Sequence, residues 1–244
     1  NPFFHFIESL WMLAGRNDLK PLTQLVKSME DFSDDGETLW GAYGWRWNSY
    51  FSKDQLNIII KILKENPEDR RAVLQMWDPI QDLNRQGKDV PCNTNIYFKI
   101  REGKLNMTVC NRSNDMLWGA YGANAVHMSI LQDYRQVSDS FHIYLNPVWD
   151  KVKEIEISPY SGIKNPYDAF APPYEHLALF TNSDILKDEL DRFFNMFTWL
   201  SLGKMRPSNT DLTAGLWENP AIKNIAIPMI GAYFSYKEKD FKSS

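Results

Sequence analysis

Cys92-Asn-Thr-Asn-Ile-Tyr-Phe-Lys-Ile-Arg-Glu-Gly-Lys-Leu-Asn-Met-Thr-Val-Cys-Asn-Arg-Ser113 is the stretch that decides the fold. Residues 95–101 alternate apolar and polar, as a half-buried strand does. Glu102-Gly103 is a turn signal, and 104–111 alternates again. The reading is a β-hairpin. Working outward, residues 71–77 read as a further strand, and KDQLNIIIKILK (53–64) as an amphipathic helix stopped at Asn66-Pro67. On the other side, 123–137 reads as a helix and 140–145 as a short strand. FFHFIESLWMLA (3–14) is a first helix with Gly15 as C-cap, 19–29 a second, and the Asp- and Gly-rich 31–44 a loop. Helices mixed with strands point to an α+β domain.

Beyond Ser158 the texture changes. SPYSGIKNPYDAFAPPYEH is dense in Pro, Gly and Tyr and reads as an irregular connection. Helical patterns follow at 183–203 and 219–237, with Glu218-Asn219-Pro220 as a helix start, then the polar tail KEKDFKSS. The expected organisation is a core over 1–157 and a linker plus helical region over 158–244. The latter is either part of the same domain or an appendage.

The chain has 244 residues, 27 Lys plus Arg, 31 Asp plus Glu, and a formal charge of −4. This suits a folded domain with a large core. It lacks the basic excess of a nucleic-acid binder and any apolar run long enough for a membrane span. Two cysteines make neither a disulfide framework nor a zinc site, so a reducing, cytoplasmic setting and no metal are expected. Aromatic residues are 14% of the chain, which serves a core or a site that stacks flat ligands.

Cys110 lies inside a strand and reads as a small buried hydrophobe. Cys92 follows Pro91 at a strand entry, where a thiol is reachable and can be activated by cations. Arg112-Ser113 offers a guanidinium and a hydroxyl to a phosphate, or is simply a surface turn. Arg70-Arg71 is a second cationic pair or a solvated edge. Glu8 sits in an apolar stretch, which favours burial and a raised pKa.

The ordered set Glu8-x-x-Trp11, Tyr43-Gly44, Arg70-Arg71, Pro91-Cys92, Arg112-Ser113-x-Asp115, Gly119, Asn124 and His142-Ile143-Tyr144 resembles the thymidylate synthase superfamily, which includes the phage deoxynucleotide hydroxymethylases. The resemblance spans roughly residues 3–150. It implies a thymidylate synthase-like mixed sheet with packed helices, and one-carbon transfer from 5,10-methylenetetrahydrofolate to C5 of a pyrimidine nucleotide. Cys92 matches the thiolate that adds to C6. Arg112 matches the arginine that serves thiolate and phosphate, and Ser113 holds phosphate beside it. Glu8 matches the glutamate that orders water, and Tyr43 the tyrosine near the thiol. Asp115 matches the pterin contact. Trp11 and Phe32 fall at folate-side positions, with Met29 beside them. His142 and Tyr144 match the pair on the sugar 3′-hydroxyl. Arg70 and Arg71 match arginines that cross to the partner's phosphate, which implies a homodimer.

Asn124, reached with one extra residue after Gly119, matches the base-selecting position and favours uracil over cytosine. His127, one turn on, could also face the base, or is an ordinary helix-surface or core histidine. Cys92-Asn93 and Asn111 replace the Cys-His and Gln usual in synthases, and the C-terminus lacks their short apolar ending. These departures favour a deoxyuridylate or deoxycytidylate hydroxymethylase over a thymidylate synthase, with a non-catalytic nucleotide-binding member as the other class. A further phosphate arginine expected before Asn1 implies a truncated N-terminus.

Overall fold

The hairpin lies at the centre of a four-stranded sheet in the computed structural model, which describes residues 2–101, 103–133, 139–142, 179–180, 185–206 and 215–240. The strands are β1 (Val73–Gln75), β2 (Asn93–Arg101), β3 (Lys104–Asn111) and β4 (Asp139–His142), in that spatial order. β2 and β3 pair antiparallel, with Ile96 opposite Val109 and Phe98 opposite Met107. All four of these side chains are buried, so one face of the hairpin is core. Gly103 takes φ +72° in the turn, a region that glycine enters without strain.

β3 and β4 run parallel. Parallel neighbours need a crossover, and the helix over Asn124–Asp133 lies between them in sequence. The sheet is therefore mixed, as the resemblance implied. At the start of β2 the register slips: Asn93 faces Asn111, yet Asn95 faces Cys110. Thr94 is the extra residue of a bulge.

Eight α-helices are described. They are α1 (Pro2–Leu13), α2 (Lys20–Leu25), α3 (Tyr43–Trp45), α4 (Gln55–Glu65), α5 (Pro79–Asp82), α6 (Asn124–Asp133), α7 (Leu186–Ser201) and α8 (Ile227–Asp240). α1 buries Phe4, Ile7, Leu10 and Trp11, the stripe expected from its spacing. α4 is capped by Asp54, whose side chain accepts from the Asn57 amide at 3.1 Å, and ends before Pro67. The helix expected over 19–29 is broken instead. Val26 is extended at φ −138°, ψ 100°, and a 3₁₀ turn over Lys27–Phe32 follows. A β-branched residue in the extended basin stops the helix and redirects Met29 and Phe32.

α7 and α8 bury Phe193, Phe194, Phe197 and Phe234 in the same apolar cluster as α1 and the sheet. Pro220 does stand at a helix start. Asn219 before it is fully buried and donates from Nδ2 to the Glu189 carboxylate at 2.6 Å. The irregular connection at 158–175 lies outside the described residues. Among the described residues, no helix is long and apolar enough to cross a membrane.

Gly44 is where α3 meets α1 backbone to backbone: a Cβ there would lie 2.0 Å from the Met12 carbonyl oxygen. Gly44→Ala should therefore cost about 2 kcal/mol or more, because neither helix can yield. Gly215, with open space beside it, should tolerate alanine within about 1 kcal/mol. Thermal denaturation of the two variants checks the contrast.

Candidate active site

One cavity of about 240 Å³ collects groups from five separated segments: Glu8 and Trp11 on α1, Met29 and Phe32 after α2, Gly41 to Tyr43 before and in α3, Asp89, Val90 and Cys92 before β2, and His127 on α6. Met29 and Phe32 form its apolar wall with Trp11, and Phe32, 53% exposed, stands at the rim. Trp11 is fixed by its indole N–H, which donates to the Asp18 carbonyl at 3.0 Å.

Cys92 is half-buried, at the point where the chain enters β2. The Tyr43 hydroxyl accepts from the Asn93 amide at 3.4 Å, so the phenol lies beside the thiol's own backbone. Burial pushes the Tyr43 phenol far up, with the nearby Cys92 charge acting in the same direction. It stays a neutral O–H donor at any working pH. Arg112 donates from Nε to the Pro91 carbonyl at 2.8 Å and from Nη2 to Val90 at 2.9 Å, while its amide donates to the Cys92 carbonyl at 2.9 Å. A cation is thus clamped to the peptide run that ends in the thiol.

The two carboxyl groups on the cavity are driven apart. Burial raises Asp89, whose carboxylate accepts from the Gly41 amide at 2.7 Å. Burial acts the same way on Glu8, but two histidines outweigh it. Nε2 of His127 stands 2.9 Å from a Glu8 oxygen and Nδ1 of His5 stands 3.9 Å from the same oxygen. Glu8 is consequently held below the ordinary carboxylate range. The raised pKa expected from its apolar surroundings is wrong, because the sequence neighbourhood does not show the histidine that arrives from α6. Of two carboxyls pushed in opposite directions, the lowered Glu8 is suited to a base role and the raised Asp89 to an acid one.

Cys92, Glu8, Tyr43, Trp11 and Phe32 are therefore brought together, with Arg112 adjoining through the 90–91 carbonyls. Arg70, Arg71 and Ser113 are exposed outside the cavity lining, and Arg71 pairs with Asp69 at 2.6 Å. Asp115 is also exposed, and its side chain caps the wide helical turn over Met116–Ala123, accepting from Trp118 N at 2.6 Å. Asn124 donates to the Asn114 side chain at 3.1 Å. His142 ends β4, only its backbone being described, and Tyr144 lies outside the described residues.

Two groups escaped the sequence reading, Asp89 on the cavity and His5 beside Glu8, while His127, 5% exposed, was weighed there as a residue that could face the base. A histidine three residues after a base-selecting asparagine was the available signal. Among the described residues, the donor atoms of His5, Glu8 and His127 lie within 4.8 Å of one another, so they are also the group that could share a cation.

Known proteins resemble this chain over most of its length. The thymidylate synthase family model matches residues 4–150. A deoxyuridylate hydroxymethyltransferase of Pseudomonas phage M6 is 44% identical over 257 positions, covering 98% of this chain and 68% of that protein. Another, of Bacillus phage SP01, is 35% identical over 242 positions, covering 88% and 63%. The chain thus spans about two thirds of each relative's length. The crystal structure of thymidylate synthase from T4 phage superposes with TM-score 0.48 at 20% identity, covering 78% of this chain and 72% of that one.

Proposed function

Because the chain belongs to the thymidylate synthase family, we propose that it transfers a one-carbon unit from 5,10-methylenetetrahydrofolate to C5 of deoxyuridylate and leaves it there as a hydroxymethyl group. The observation that carries the reading is the convergence of Cys92, Glu8, Tyr43 and His127 on one cavity with an apolar wall. The hydroxymethyltransferase relatives lend the choice of product.

C5 of uracil is too weak a nucleophile to act alone. Addition of the Cys92 thiolate at C6 turns the ring into an enolate and places electron density on C5. The Arg112 charge lies beside the 90–92 backbone that carries the sulfur. Tyr43, neutral and beside the thiol, can donate a hydrogen bond there or relay a proton. Trp11, Met29 and Phe32 offer a flat apolar surface that fits a pterin ring. When bound, methylenetetrahydrofolate supplies the carbon at the oxidation level of formaldehyde.

We further assign Arg70, Arg71 and Ser113 to phosphate, the arginines through a homodimer. Asn124 is assigned to the uracil edge, Asp115 to the folate, and His142 with Tyr144 to the sugar. The helices after residue 185 are read as part of the same domain, since their phenylalanines share its core.

Incubation with deoxyuridylate and methylenetetrahydrofolate should add the mass of CH2O to the nucleotide, with no dihydrofolate absorbance. Deoxycytidylate should react more slowly. A gain of CH2 with dihydrofolate would make the chain a synthase instead. No reaction and no adduct with a 5-fluoropyrimidine nucleotide plus folate would leave a binding module.

A further inference from the structure

We propose that His127 is the positioning residue that holds the Glu8 carboxylate as the base for the water whose oxygen becomes the product hydroxyl. The inference rests on the hydroxymethyl reading above and names the group that selects water.

The choice between a methyl and a hydroxymethyl product comes after the carbon has reached C5. The ring then carries an exocyclic methylene on C5 and the Cys92 sulfur on C6. Water addition must be helped by a base, since the oxygen loses a proton as it bonds to carbon. The water oxygen's lone pair forms the bond to the methylene carbon. The exocyclic π pair moves into the ring as an enolate on C4–O. The enolate then restores the C5–C6 double bond and expels the Cys92 thiolate. The water proton goes to Glu8. No oxidant or reductant is consumed.

Few groups on the cavity can take that proton. Cys92 is bonded to the ring, and Tyr43 is a neutral phenol. Asp89 faces the same space, but burial favours its protonated form. Glu8 is the carboxylate kept charged. The groups facing it are His5 from its own helix, His127 from α6, and Tyr43, Asp89 and Cys92 across the cavity. His127 makes the shorter histidine contact, 2.9 Å against 3.9 Å. It is also an expensive residue to bury for packing alone. Neither of its ring nitrogens makes a hydrogen bond of good geometry among the described residues, Nε2 having only the close charged approach to Glu8, and a leucine would fill that site without the desolvation cost.

The test uses deoxyuridylate tritiated at C5, methylenetetrahydrofolate, and wild type, His127→Leu and His127→Gln in a single turnover. Tritium release reports all steps up to loss of the C5 hydrogen, and product mass reports water addition. His127→Leu should keep tritium release within about threefold of wild type but slow hydroxymethyl formation about 100-fold. A covalent protein–nucleotide adduct should accumulate. The acid limb of its product-formation profile should move to higher pH, since Glu8 loses the neighbour that keeps it ionised. His127→Gln, which can still donate toward Glu8, should recover part of the rate, and it carries the same comparison if the leucine variant does not fold.

Equal loss of both steps, or of neither, overturns the proposal. So does product formation that is lost on chelation and restored by zinc, because the trio would then be a metal site. A methyl product or absent tritium release in wild type would refute the hydroxymethylase reading itself, and this inference with it.

Discussion

Cys92→Ser should lower turnover by at least about 10⁴-fold while leaving the melting temperature nearly unchanged. A serine hydroxyl is nearly isosteric with the thiol, so packing at this half-buried position is preserved. What disappears is the nucleophile. A thiol ionises within reach of neutral pH, whereas a hydroxyl ionises far above it. Release of tritium from C5 of deoxyuridylate should vanish with turnover, and so should the covalent adduct with a 5-fluoropyrimidine nucleotide and folate. Cys110→Ser, near the end of β3, should retain all three. Tritium release surviving in Cys92→Ser would place the nucleophile elsewhere.

The largest expected loss of stability lies 10 residues upstream. Arg46 and Asp82 both have side chains fully removed from solvent and meet through two hydrogen bonds, at 2.6 and 2.9 Å. Asp82 also accepts from the Trp40 indole at 2.8 Å and the Asp78 amide at 2.8 Å. Asp82→Asn leaves a buried guanidinium without its counter-charge, at a cost of about 3–5 kcal/mol. For a chain of this size that is roughly 10 °C in melting temperature. Glu65→Gln, which breaks the exposed pair with Lys61, should change stability by under about 0.5 kcal/mol.

The pH dependence has a definite sign. Burial alone would raise the Asp82 carboxyl, but the Arg46 hydrogen bonds and the Asp78 and Trp40 donors outweigh it and hold it low. A depressed native value means that the stabilisation is complete above the ordinary carboxylate range and is lost as pH falls through the native one. Wild type should therefore lose stability on acidification below about pH 4 more steeply than Asp82→Asn does.

The hairpin and the amphipathic helices α1 and α4 were legible because a strand or helix with one buried face writes its period into the sequence. The Val26 break was not, since a single residue's basin is a tertiary choice. The thiol, Glu8 and Tyr43 were found through a resemblance carried by order and spacing. The sign of the Glu8 shift and the place of His127 were lost for one shared reason. Both depend on α6 packing against α1, a contact between segments more than 100 residues apart. Local sequence around either residue carries no trace of the other. Arg46–Asp82 escaped similarly, as a pair joined only in three dimensions.

The bulge at Thr94 has a consequence for how such a chain can change over generations. Uninterrupted pairing from β2 would put Cys92 across from Ser113. The one supernumerary residue brings Arg112 opposite instead, its amide on the Cys92 carbonyl. Exchange of Thr94 or Asn95 for another strand-forming residue keeps thiol and guanidinium in step, and even loss of Thr94 would only erase the bulge, since 93 and 95 would then face 111 and 110 in plain register. Loss of the codon for Asn111 is different: it would draw Ser113 up to Cys92 and carry the guanidinium one step past it, without removing either residue. On the arginine side of this ladder, inheritance guards a spacing as strictly as it guards a sulfur atom.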